Sequence, residues 1–285
     1  MMLLELILVG LVLCHGITAR AVDEEPSKIG LHRIFETTRI TNGQDAQPGQ
    51  FPYQVALKWG FPPLLKLRFI CGGSIISEQW VLTAGHCVSG LLKYGTLKVY
   101  AGKHVVDRSE TTEQVVTVLR RIVHPQYDGG VAPHDIALLK LKTPLVFNDR
   151  VSPIQLPKQD LEHEGHTVLT GWGSVSTTLI PQPATTLQSV EVPLVDRQTC
   201  ARYIQKMTGE EAPVYQTHVC TGPLGDAISA CSGDSGGPLV QYKDEKPEQV
   251  GVVSWGIYPC GKHGAPTVYT RVSSYTTWIS LSIGL

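Results

Sequence analysis

The sequence predicts an all-β fold of antiparallel sandwiches or barrels, and three observations carry that reading. Short β-branched and apolar runs recur between turn residues: FPYQVALK, GGSIISEQWVLTA, LKVYAG, QVVTVLRRIV, DIALLKLK, TVLTGWG, EQVGVVSWG and TVYTRV. Many short strands with turn signals between them close into sandwiches or barrels. Glycine and proline number 28 and 19 among 285 residues, whereas charged residues make up 17%, a balance suited to turn-rich sheet. No helical period is visible before the C-terminal end.

The length allows one large all-β unit or two smaller lobes. A net charge of -1 and a pI near 6.8 give the whole chain no attraction to nucleic acid or to an anionic membrane. Neither is expected as a partner.

Taken in order, the first stretch is not part of the fold. MMLLELILVGLVLCHGITA carries an apolar run from Leu3 to Leu13, followed by small residues around Gly16 and Ala19. That run is shorter than the about 20 residues a bilayer span needs, and it reads as a removable secretory signal over 1–19. Glu5 departs from the usual basic start. A buried N-terminal helix is the blander alternative, but neither a capping pattern nor a polar face accompanies the run. The strand-like runs follow, and the Pro-rich link TPLVFNDRVSPIQLP at 143–157 is the natural seam between two lobes. At the end, Ser273 or Ser274 is placed to cap a last helix, about 273–283, with Tyr275, Trp278, Ile279 and Ile283 on one face.

Seven cysteines are present, and Cys14 leaves with the signal. Cys71, Cys87, Cys200, Cys220, Cys231 and Cys260 remain, an even set that favours disulfides in a secreted chain while leaving their pairing open. Neither Cys-x-x-Cys nor HExxH supports a zinc site, and the EHEGH stretch with His163 and His166 reads as solvated surface. No metal is expected, and the asparagines lie outside any N-glycosylation sequon.

The chemistry sits in three separated stretches. WVLTAGHCV holds His86 at the end of an apolar strand, and a lone histidine there is more often structural than catalytic. HDIALLKL sets Asp135 at the head of a strand so apolar that its carboxylate needs a charged or hydrogen-bonding receiver. ISACSGDSGGPL sets Ser229, Ser232 and Ser235 among small residues and glycines. A serine nucleophile needs a base, and an imidazole base needs an acceptor on its other nitrogen. Taken together, the three stretches supply all of these.

From Ile40 almost to the C-terminus the sequence resembles the trypsin and chymotrypsin family of serine peptidases. RITNG, TAGHC, DIALL, GWG, GDSGGP and SWG stand in the family's order. The resemblance implies two packed antiparallel six-stranded β-barrels, lobes of about 40–150 and 151–270 within a peptidase domain of 40–285, and a short C-terminal helix. It implies Ser235 as nucleophile, His86 as base and then acid, Asp135 as the group that orients the imidazole, and the N–H groups of Gly233 and Ser235 as an oxyanion hole. Gly236 and Gly237 then serve close packing and turn geometry. Ser254 supports the aspartate, and Ser254, Trp255 and Gly256 offer an edge to the substrate backbone.

The same resemblance implies a zymogen with a 20–39 propeptide, cut between Arg39 and Ile40 so that the new ammonium pairs with Asp234. It implies disulfides Cys71–Cys87, Cys200–Cys220 and Cys231–Cys260. Ser229 and Ala230 would form the pocket floor, with Ser232 and Thr267 along its walls and no carboxylate to receive Lys or Arg. Medium to large apolar residues are therefore expected before the scissile bond. GKHVV puts Lys103 where calcium-binding members keep a glutamate, so no calcium is expected there. KWGFPPLLKLRF at 58–69 is long, and its Trp59, Phe61 and Leu64 either bind substrate on the leaving-group side or pack on the lobe beneath.

The expected function is a secreted serine endopeptidase, a monomer without cofactor, acting on proteins or peptides. Its expected partners are an activating trypsin-like protease and protein protease inhibitors. The short propeptide suits a digestive, venom or tissue-degrading role better than a cascade role. The alternative is a non-catalytic homologue acting as a binding or cofactor protein, which a lost triad residue would usually betray; all three residues are present.

Overall fold

The structure is a computed structural model and describes residues 43–284 apart from 177–178, 227 and 262–263. The expected signal and propeptide, with Arg39 and Ile40, lie outside the described residues. Both barrels belong to one compact unit, Thr37–Leu285.

Strand β1 (Gln44–Asp45) precedes β2 (Gln54–Phe61), β3 (Leu65–Ser77), β4 (Trp80–Thr83), β5 (Thr96–Ala101), β6 (Gln114–Val123) and β7 (Ala137–Leu141). The last six close into an antiparallel barrel in the order β2-β3-β4-β7-β6-β5. The second half supplies β8 (His166–Gly171), β9 (Gln188–Val195), β10 (His218–Thr221), β11 (Pro238–Lys243), β12 (Lys246–Gly256) and β13 (Thr267–Arg271). Their order is β9-β10-β13-β12-β11-β8, and the β8–β9 pairing closes this second six-stranded barrel. Strand β1, first in sequence, pairs with β9 and so attaches to the second barrel.

Alternation explains how these strands hold together. In β5 the residues Leu97, Val99 and Ala101 are buried while Lys98 and Tyr100 between them are not, the period of a strand with one face on a core. Val55, Leu57, Ile75, Leu82 and Leu138 fill the first barrel beside them. Between the barrels the contact is partly polar. Thr170 Oγ1 donates to Gln54 Oε1 at 2.6 Å and Ser74 Oγ to Gln249 Oε1 at 2.6 Å, so these buried groups satisfy one another.

Among the described residues three α-helices accompany the sheets. Helix α1 (His86–Ser89) is one turn directly after β4. Helix α2 (Arg197–Thr208) was not legible in the sequence: only Cys200 and Ile204 are buried, too few to show an apolar stripe. Its caps were the available signal, since Asp196 accepts from Thr199 N at 2.9 Å and Gly209 ends it with φ of 79°. Helix α3 (Thr276–Ile283) closes the chain, with Ile279 in the core of the first barrel and Trp278 and Ile283 packed against it. The expected serine caps are not formed. Ser273 and Ser274 lie in a 3-10 turn, Val272–Tyr275, and Ser274 Oγ instead accepts from Arg271 Nε at 2.8 Å.

Disulfides join Cys71 to Cys87, Cys200 to Cys220 and Cys231 to Cys260. His163 and His166 do not converge. The first is 2.8 Å from Glu248 and the second 2.9 Å from Glu191.

Lys103 is buried, and its ammonium meets Glu113 at 2.6 Å, Glu110 at 3.5 Å and the Arg108 carbonyl. Glu110 also accepts from His104 N and Val105 N. Burial alone would raise its pKa, but those donors and Lys103 hold it below the usual carboxylate range.

Candidate active site

Asp135 is 1% exposed just before β7, and four donors converge on it. His86 Nδ1 lies 2.7 Å from Oδ2, His86 N donates to Oδ1 at 2.8 Å, and Ser254 Oγ donates to Oδ2 at 2.6 Å. Thr270 Oγ1 donates to the Asp135 carbonyl at 2.8 Å. A carboxylate this deep is tolerable because each oxygen is received. The imidazole is thereby held in one orientation with Nε2 left for chemistry. Its position comes from the local fold, because the Cys71–Cys87 bond ties the turn of α1 to β3. Nε2 lies 3.7 Å from Cys87 Sγ. Cys71, His86 and Cys87 offer a triad of ligand atoms, but their sulfurs are spent in the disulfide and are not thiolates.

Ser235 follows Gly233 and Asp234 on a tight loop. Gly233 has φ of +104°, and a Cβ there would stand 3.0 Å from Gly173 Cα; only glycine fits both demands. Gly236 has φ of +76°, and any Cβ there would collide with Thr83 Oγ1. The Ser235 carbonyl accepts from Gly72 N at 2.8 Å, docking the loop onto β3 of the other barrel. Ser235 Oγ is not hydrogen-bonded to His86, a contact that commonly tightens only as substrate binds. Ser235 and Ser254 border one cavity, which Ser254 links to the Asp135–His86 pair.

Asp234 is fully buried beneath the loop, with Oδ1 accepting from Gly173 N at 2.8 Å and Oδ2 from Cys231 N at 2.9 Å. Burial raises its pKa to about 6, against the pull of those two donors. Sequence reasoning assigned GWG no role, and the structure supplies one. A Cβ on Gly171 or Gly173 would run into the Asp234 carboxylate.

The cavity beside Ser235 has a volume of about 170 Å³. Ala230, Ser232, Val253, Trp255, Gly256 and Thr267 are among its walls, and among the described residues no acidic or basic one lines it. Thr267 Oγ1 accepts from Ala230 N at 3.1 Å, while Ser229, 5% exposed, does not border the cavity. Gly256 faces open space where a Cβ would sit. In the 58–69 hairpin, Trp59 packs against the first core and edge-on to Phe61 at 4.8 Å, whereas Leu64 is 87% exposed at the tip.

A pocket for one side chain, a serine at its rim, and a histidine fixed by a buried aspartate form the layout of a serine peptidase. Comparison agrees. The trypsin family model matches residues 40–279. The chain belongs to the trypsin family. It is 37% identical over 258 residues to the lectizyme of Glossina austeni, covering 87% of this chain and 88% of that protein. It is 37% identical over 243 residues to trypsin-1 of Astacus astacus, covering 84% and 98%, and 36% identical over 249 residues to coagulation factor IX of Cavia porcellus, covering 85% and 81%. This trypsin-family member is a chymotrypsin-like serine endopeptidase, stapled by three disulfides. No helix among its described residues is long and apolar enough to cross a membrane.

Proposed function

We propose that the chain is a secreted endopeptidase, made as a zymogen cut after Arg39, that hydrolyses peptide bonds following medium to large apolar residues. The observation that carries the specificity is the lining of the 170 Å³ cavity, uncharged among the described residues and bordered by Thr267. A Lys or Arg side chain would be desolvated there without a partner, which costs several kcal/mol.

In this reading Ser235 Oγ attacks the scissile carbonyl carbon as its proton passes to His86 Nε2. The N–H groups of Gly233 and Ser235 receive the oxyanion, a contribution of about 3 kcal/mol for each such donor. Collapse expels the amine with the proton from His86, and water repeats the two transfers on the acyl-enzyme. Asp135 stays ionised throughout, and the hydrogen bonds from Ser254 and His86 N support that. Activation rests on Asp234. Its pKa of about 6 is that of a buried carboxylate with donors but no cation among the described residues, and an inserted Ile40 ammonium would stabilise the charged form and the loop above it.

The test is labelling with an organophosphorus serine-directed probe before and after cleavage at Arg39. Labelling should rise on cleavage and vanish in Ser235→Ala, and peptides with leucine or methionine before the scissile bond should be cut fastest. Dominant cleavage after arginine or lysine would overturn the specificity, and full labelling of the uncut chain would overturn the zymogen.

A further inference from the structure

The net charge of -1 conceals a separation of charge between the barrels. From Gln54 to Lys142 there are eleven Lys or Arg against six Asp or Glu, whereas from 143 to the end there are nine against thirteen. The strands sharpen this contrast. Strands β2 to β7 carry Lys58, Lys66, Arg68, Lys98, Arg120, Arg121 and Lys140 and not one acidic residue.

Several of these cations share the outer face of three adjacent strands. Lys98 projects outward between buried Leu97 and Val99, and Lys140 does so between buried Leu139 and Leu141. Arg120, exposed on β6, stands directly opposite Lys140, and Lys142 follows, also exposed. Lys98 in turn stands opposite Lys58. Two like-charged cross-strand pairs therefore sit on one barrel wall, an arrangement that costs stability unless an anion offsets it. None of Lys98, Arg120, Lys140 and Lys142 makes an ion pair among the described residues, whereas Lys58 is turned onto the Val106 carbonyl and Tyr100, and Glu110 and Glu113 are engaged by Lys103.

We propose that the outer face of β5, β6 and β7 binds a linear sulfated polysaccharide. Arg120 and Lys140 stand one strand step of about 4.8 Å apart, and Lys98, opposite Thr117, lies three residues further along β6, a diagonal row that suits a chain bearing repeated strong anions. A protein partner would call for aromatic or apolar anchors at the centre of the patch. The aromatics here, Tyr100 on β5 and Trp80 on the neighbouring β4, are already covered by the Lys58 and Lys140 ammoniums, 4.7 and 5.6 Å from their rings. A membrane would need apolar side chains to insert, and on these three strands only Leu119 and Val115 are exposed among the large apolar residues. The site is independent of the specificity pocket and of activation.

The experiment is chromatography of the purified chain on immobilised heparin, with solution binding measured against salt. The wild type should stay bound at about 0.15 M salt. The triple variant Lys98→Gln, Arg120→Gln, Lys140→Gln should bind at least tenfold more weakly, with a slope of log affinity on log salt shallower by about 2, as for other linear polyanions. Its thermal midpoint should equal or exceed that of the wild type, because repulsion is removed. Lys243→Gln with Lys246→Gln on the second barrel should change nothing. Release of the wild type below about 0.15 M salt, co-elution of the triple variant with it, or tighter binding to phosphatidylserine vesicles or oligonucleotides than to heparin would each overturn the proposal.

Discussion

Thr267 Oγ1 accepts the Ala230 backbone N–H at 3.1 Å, joining β13 to the segment that leads into the loop of Ser235. The branched side chain occupies cavity space that a glycine would leave open. Thr267→Gly should therefore deepen the pocket and raise kcat/KM for phenylalanine over leucine substrates by about tenfold, the scale of one or two methylenes of pocket space. Kinetics on paired peptides measure the ratio. An unchanged ratio would show that Thr267 does not set the depth.

Gly173 is predicted to be as necessary as the residues that do chemistry. Gly173→Ala forces a methyl group onto the Asp234 carboxylate and must displace either that side chain or the loop carrying Gly233 and Ser235. The rate of probe labelling at Ser235 should drop by more than about tenfold, the equivalent of 1.4 kcal/mol. Calorimetry run in parallel separates this from unfolding. Wild-type labelling by a folded variant would contradict the assignment.

The buried Lys103 ammonium should fill the role of a structural cation. Lys103→Met leaves Glu110 and Glu113 facing each other without a positive partner and should cost about 3 kcal/mol. Thermal melts of the wild type should be the same with calcium and with a chelator. A calcium-dependent rise in its midpoint would count against the lysine.

Acid should destabilise the protein through two histidines. His218 is fully buried, and burial lowers its pKa to about 4; His124, stacked on His134 with ring centroids 4.9 Å apart, is lowered to about 4 by burial first and by His134 second. Both pKa values lie below that of the unfolded chain, so the unfolded state binds more protons between about pH 6.5 and 4. The histidines' contribution is full above that window and falls as pH drops through it, by about 3 kcal/mol for His218 alone, while Asp234, raised to about 6, contributes in the opposite sense over much of the same range. Denaturant melts at stepped pH on the wild type and on His218→Met isolate the histidine, whose loss on acidification should be absent from the variant. Identical pH profiles for the two would remove His218 from the account.

Much of this protein was legible from residue order alone, because the relevant physics is local or compositional. Alternation marked the strands, an even set of cysteines marked a disulfide framework, and the neighbourhoods of His86, Asp135 and Ser235 exposed three groups whose chemistry requires one another. What acts across space was hidden. The sequence places Ser254 far from Asp135, yet folding brings them to 2.6 Å and so makes a buried carboxylate tolerable. GWG had no role of its own in the sequence, and folding packs Asp234, sixty-one residues beyond Gly173, against it. Helix α2 buries only Cys200 and Ile204, so capping rather than periodicity defines it. Charge followed the same division: a net of -1 is a property of the chain, but Arg120 facing Lys140 on a barrel wall is a property of strand register. Sequence by itself determined where the strands form and which groups are chemically able to act together, since dihedral preference, side-chain period and functional-group chemistry belong to each residue. Distance, desolvation and register belong to pairs far apart in the chain, and the tertiary structure alone decided them.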